Sequence, residues 1–123
     1  LELFGDQVYL DGAHNPHAML RLIEFANSLA GKRVKILFGA LKRKDYSGML
    51  QTLQAGLPEA ELILTTFHYG EVVAQGDRQD LPYVADYKAY IKEFMDQSPS
   101  DEVLFVTGSL YFIAEVRAFL LEG

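Results

Sequence analysis

Four short apolar runs alternate with stretches of helical periodicity, and that alternation limits the chain more than any other feature. The first run is Val8-Tyr9-Leu10. The second covers residues 34–38 and is rich in branched and aromatic side chains. The third is Leu62-Ile63-Leu64, leading into Thr65-Thr66, and the fourth covers residues 103–106. The last is apolar without a break, as a strand covered on both faces should be. With a helix between successive strands and no tight-turn signal joining neighbours, the order predicts a mainly parallel sheet with helices on both faces.

The predicted helices follow from caps and spacing. Asn15 can cap the first, with Pro16 in the first turn, where a missing N–H costs nothing. Leu22, Phe25, Ala26 and Leu29 form its apolar stripe and Gly31 ends it. Asp45 can cap a second helix carrying Met49, Leu50 and Leu53, which stops near Gly56 and Pro58. A third is expected from about Asp80 and Pro82. Its Tyr83, Tyr87, Tyr90, Ile91 and Phe94 recur at three- and four-residue steps and read as core. The fourth opens at Ser109 and should bury Phe112, Ile113, Val116 and Leu120. The outcome is an α/β, Rossmann-like, three-layer domain over residues 1–123, with residues 66–80 as its most irregular part.

A chain of 123 residues, half of them hydrophobic, can bury a core without staples, and it has no cysteine to form one. Its net charge of −6 argues against nucleic-acid binding, which requires a basic face. No window approaches the roughly 18 apolar residues of a membrane span. The opening residues have no basic export signal, so a cytoplasmic protein is expected. The one basic run is Lys42-Arg43-Lys44.

If the strands are parallel, the loops after them share one edge, and open α/β sheets bind ligands there. Those loops are residues 11–15, 39–45, 66–70 and 107–109, and they hold nearly all the chemically versatile side chains. Asp11 either caps turn amides or accepts hydrogen bonds from a ligand. His14 is either a surface residue or a group that meets an anion or takes a proton near neutral pH. His14 and His17 share metal-ligand spacing but lack a third partner, so no metal site is expected. Thr107-Gly108-Ser109 offers a tight turn, a hydroxyl and free N–H groups at a helix start, suited to a carboxylate or phosphate or to plain capping. No phosphate-loop, dinucleotide-binding or nucleophile-elbow motif is present.

Three segments together, YLDGAHNPHAM (residues 9–19), FGALKRKD (38–45) and VTGSLYFIAEVR (106–117), resemble the C-terminal domain of folylpolyglutamate synthases. These enzymes, often bifunctional with dihydrofolate synthase, belong to the Mur ligase group. The resemblance implies a role in an ATP-dependent ligase. There a carboxylate of folate or dihydropteroate becomes an acyl phosphate, and L-glutamate attacks it to give an amide, ADP and phosphate. It implies that Asp11 contacts ATP, that His14 is catalytic and binds glutamate, and that Ser109 binds glutamate. Lys42 and Lys44 would be anion contacts. A partner N-terminal ATPase domain of the same polypeptide would carry the phosphate loop, the Mg2+ ligands and the pterin site. Two departures stand out: Arg43 replaces the first aspartate of the family's D-K-D loop, and Gly70-Glu71 replaces a Pro-Arg pair, with His68 nearby as a substitute anion contact. The competing readings are a receiver-like or other anion-binding module, which Thr65-Thr66-Phe67 disfavours for want of an acceptor aspartate, and a Mur-type ligase for another amino acid.

Overall fold

Cover on both faces explains why the buried stretches of two inner strands, residues 36–38 and 103–106, are apolar at every position. In the computed structural model, which describes residues 1–97 and 99–122, Ile36 and Phe38 face one helical layer while Leu37 faces the other. Val103 and Phe105 alternate with Leu104 and Val106 in the same way. All seven are at most 3% exposed, so each contributes roughly 1.5–3 kcal/mol of burial.

In chain order the described residues form β1 (Glu2–Phe4), β2 (Val8–Leu10), α1 (Pro16–Asn27), β3 (Arg33–Phe38), α2 (Tyr46–Gly56) and β4 (Glu61–Thr65). A 3-10 turn at Gln75–Asp77 precedes β5 (Tyr83–Val84), α3 (Tyr87–Gln97), β6 (Glu102–Thr107) and α4 (Leu110–Glu122). The strand order is β1-β2-β6-β3-β4-β5, parallel from β2 to β5. Helices α1 and α2 cover one face with Met19, Leu22, Met49, Leu50 and Leu53, and α3 and α4 cover the other with Ile91, Phe94, Phe112 and Val116. The α/β architecture expected from the sequence is the one observed.

Three local expectations change. The edge strand β1 is antiparallel to β2, pairing Phe4 with Val8 through a turn in which Gly5 has φ +63°, so one hairpin is present. Helix α3 starts at Tyr87 rather than near Asp80. Pairing with β4 takes residues 82–84 instead: Leu64 N–H donates to Pro82 O at 2.8 Å, and the Thr65 hydroxyl donates to Val84 O at 2.7 Å. The helix cap is then Asp86, which accepts from Ala89 N–H. Finally, α1 ends at Asn27, and Gly31, at φ +78°, closes the turn beyond it.

The tyrosines of the third helix do line the core, but one at a cost. The Tyr90 hydroxyl is buried without a hydrogen-bond partner. Burial, reinforced by the Glu61, Glu102 and Glu93 carboxylates, pushes this phenol up to about 12. Because the folded pKa exceeds the unfolded value of about 10, ionisation of this phenol leaves stability unchanged below pH 10 and lowers it as pH rises from 10 toward 12. We expect Tyr90→Phe, which removes an unsatisfied buried group, to be neutral or stabilising by up to about 1 kcal/mol near pH 7. It should also make the alkaline loss of stability shallower, as read from urea midpoints between pH 8 and 11.

Candidate functional site

Two hydrogen bonds gather the chain's scattered turns at the carboxyl end of β6. Asp11 N–H donates to Val106 O at 3.0 Å, and Gly39 N–H donates to Thr107 O at 3.0 Å. Because β6 lies between β2 and β3, the loops that follow all three strands meet there. Gly108 makes the approach feasible. Its φ is +121°, and a Cβ at this position would stand 2.3 Å from Gly39 O.

At this junction His14, Leu41, Arg43, Lys44, Gly108, Ser109, Leu110 and Tyr111 line a cleft of about 310 Å³. His14 is exposed, and its Nδ1 lies 3.2 Å from Gly12 O. A carbonyl oxygen only accepts, so Nδ1 is the donor of this pair, and the tautomer that makes it leaves Nε2 as the acceptor. Ser109 is 4% exposed and caps α4, its hydroxyl oxygen accepting from Tyr111 N–H at 3.1 Å. That leaves its own O–H to donate. Arg43 and Lys44 belong to the turn before α2, which Asp45 caps by accepting from Gly48 N–H at 2.9 Å.

Tyr69 supports the outer wall. Its ring stacks on Tyr111 with centroids 3.9 Å apart and planes inclined by 19°. A hydrogen bond with the Tyr111 hydroxyl holds the Tyr69 phenol above its usual pKa, against the opposing influence of the adjacent Arg43 guanidinium. The loop bearing Tyr69 is tied down by Glu115, which accepts from His68 N–H at 3.0 Å and from the Tyr87 hydroxyl at 2.7 Å. Burial, followed by that carboxylate, pushes the Tyr87 phenol strongly up. His68 itself points outward, its side chain 91% exposed, with Nδ1 3.5 Å from Glu115.

The structure thus brings together His14, Ser109 and Lys44. Asp11 lies at the same junction but outside the cleft lining, accepting from Ala13 N–H at 2.9 Å in the manner of a turn cap. Lys42 is not among the lining residues and pairs instead with Asp77, at 3.6 Å. Arg43 and Tyr111 line the cleft although neither was among the individual site residues expected from the sequence, Arg43 entering only as part of a basic run suited either to solvent or to an anion. Arg43's place in the basic run was a usable signal, whereas nothing local marks Tyr111. Among the described residues, no group of three or more His, Asp or Glu side chains could hold a metal ion, so no step is assigned to a metal on this chain. Nor is any helix among them long and apolar enough to cross a membrane. A larger hollow, about 700 Å³, opens at the opposite edge of the sheet, but there Glu102 pairs with Arg33 and Lys35.

A doubly wound α/β domain with an anion-receptive cleft beyond its strand ends is the class defined by this fold and site. Residues 1–110 match the family described as Mur ligase, glutamate ligase domain, and the chain belongs to that family. It is 31% identical, over 121 residues, to the dihydrofolate synthase/folylpolyglutamate synthase of Bacillus subtilis (strain 168), covering 89% of this chain and 27% of that protein. A bifunctional folylpolyglutamate synthase/dihydrofolate synthase of Yersinia pestis, complexed with AMPPNP and Mn ion, superposes with TM-score 0.79 at 24% identity, over 93% of this chain and 28% of that one. A structure of such an enzyme with Mn, AMPPNP and L-glutamate bound gives 0.80 at 24% identity, over 98% and 30% of the two chains. The chain therefore spans about a quarter of the length of its curated relative.

The contact between Gly108 and Gly39 leads to a direct expectation. Gly108→Ala combines a disfavoured φ with a backbone clash and should cost about 2–4 kcal/mol. A lowered denaturant midpoint with an unchanged m-value would show it.

Proposed function

We propose that this chain is the C-terminal domain of an ATP-dependent ligase that adds L-glutamate to a folate through an acyl phosphate. The observation that carries this reading is the convergence of His14, Lys44 and Ser109 on one cleft in a member of the glutamate ligase domain family. The folate or dihydropteroate, the ATP and its Mg2+, and an N-terminal ATPase domain belong to the whole enzyme, which acts in the cytoplasm. Two relatives favour glutamate and ATP: the B. subtilis protein is a dihydrofolate synthase/folylpolyglutamate synthase, and one structural neighbour holds AMPPNP and L-glutamate.

The cleft's chemistry suits the second half of the reaction. The start of α4 and the Ser109 hydroxyl receive a glutamate carboxylate, because helix N-termini present free N–H groups and partial positive charge. In this reading Nε2 of His14 orients the glutamate amine or accepts a proton as nitrogen attacks the acyl carbon and phosphate departs. Lys44 offsets anionic charge. Asp11, bound to Ala13 through one oxygen, offers the other to the nucleotide ribose. Leu110 and Tyr111 leave an exposed apolar rim, suited to an ATPase domain that closes over the cleft and excludes water from the acyl phosphate.

This chain alone should show no ATP-dependent glutamate addition. In the full-length enzyme, His14→Ala and Ser109→Ala should each raise KM for glutamate about 10- to 100-fold, the scale of a lost hydrogen bond to a charged group, with little change for ATP. Asp11→Ala should act chiefly on ATP. Small, equal effects on both substrates would return all three residues to turn capping.

A further inference from the structure

The cleft has more cationic side chains than one carboxylate needs. Among the cations of the basic run, Lys42 is neutralised by Asp77. Arg43 and Lys44 have no ion-pair partner among the described residues, and the adjacent carboxylate of Asp45 is engaged in capping α2. Ser109, at the start of α4 and taken above as the receptor of one carboxylate, lines the same cleft as this turn. On a chain of net charge −6, two cations without an ion-pair partner in the cleft that Ser109 also lines suit a second anion. The Tyr69–Tyr111 stack braces it, since the Tyr69 hydroxyl stands against the Arg43 guanidinium and Tyr111 is part of the cleft wall.

We propose that the cleft holds two carboxylates of one ligand at once, the first at Ser109 and the second at Arg43 with Lys44, so that Arg43 selects for a dicarboxylate. Leu41, Leu110 and Tyr111, which line the same cleft, supply an apolar surface for the short aliphatic spacer of a glutamate. A planar guanidinium receives a carboxylate with two parallel hydrogen bonds, which gives it more discriminating power than an ammonium. Two sources share this chemistry: free glutamate, through its α- and γ-carboxylates, and the γ-linked glutamyl tail of an acceptor. The inference rests on the ligase reading for the natural ligand, but its test requires no catalysis.

The experiment is an amide NMR titration of this 123-residue chain with butyrate, glutarate, L-glutamate and γ-glutamylglutamate. Arg43→Gln and Lys42→Gln are compared with the unaltered chain; both remove one positive charge, but only Arg43 lines the cleft. Glutarate should shift the amides of His14, Arg43 and residues 108–111 and bind about tenfold more tightly than butyrate. Arg43→Gln should bring glutarate down to the level of butyrate without altering butyrate, and Lys42→Gln should change neither. Tighter binding of L-glutamate than of γ-glutamylglutamate would assign the position to the incoming amino acid, and the reverse order would assign it to the acceptor tail. Equal affinities for butyrate and glutarate, equal losses in the two variants, or no shifts at the cleft would overturn the proposal. Failure of the full-length protein to ligate glutamate would instead sink the ligase reading and leave this binding result standing.

Discussion

The close approach of two backbones, Gly108 against Gly39, is the constraint on which the rest of the cleft depends. Any side chain at residue 108 would collide with Gly39 O, and one at residue 39 would meet the Phe112 ring at 2.8 Å. With both positions bare, the turn after β6 tucks against the turn after β3 and α4 starts directly above the sheet edge. Gly12 does the same on the other side, where a Cβ would stand 2.5 Å from Leu110 Cδ2. Three glycines from three distant segments thus allow three loops to share one small volume. The polar groups they carry, His14, Arg43, Lys44 and Ser109, are neighbours for that reason.

The inner sheet was legible in the sequence because burial on both faces leaves a plain trace. Residues 103–106 are apolar at every position, and β6 proves to be the central strand. The caps Asn15, Asp45 and Ser109 were equally readable, each accepting from a nearby backbone N–H as its side chain suggests. Edges were harder. β1 is three residues long and mostly exposed, so it carries almost no pattern beyond Gly5. Tyr83 fell in phase with the helical stripe yet lies in β5, because the outer edge of β4 recruits it through long-range hydrogen bonds that no local window contains. The candidate site divides the same way. Its chemistry-bearing residues follow from the rule that parallel strands end together, whereas the partners that decide which of them are free do not. Lys42 and Lys44 are indistinguishable in the sequence until Asp77, thirty-odd residues away, is seen to hold one of them.

Electrostatics sharpens this selection. The amino edge of the sheet closes on itself, with Arg33 bound to Asp101 and Glu102 and with Lys35 on Glu102. Mutual neutralisation leaves the larger hollow there with little to offer an ion, and exposed pairs of this kind add little to stability. The carboxyl edge is arranged otherwise. Its carboxylates at Asp11 and Asp45 accept from backbone N–H groups, so they hold turns in place and leave Arg43 and Lys44 uncompensated.

The four helix starts among the described residues make the same point from the backbone. A helix N-terminus carries about half a positive charge, and a carboxylate cap neutralises it. Helices α2 and α3 have such caps in Asp45 and Asp86. The cap of α1 is the neutral amide of Asn15, and that of α4 is the neutral hydroxyl of Ser109. These two neutral-capped helices are the ones that follow β2 and β6, adjacent strands whose carboxyl ends flank the cleft. An aspartate at residue 109 would satisfy the same Tyr111 N–H, but it would cancel the dipole and repel any incoming carboxylate. A serine caps the helix and still leaves the positive potential of α4 available, so its value here lies in the charge it does not bring.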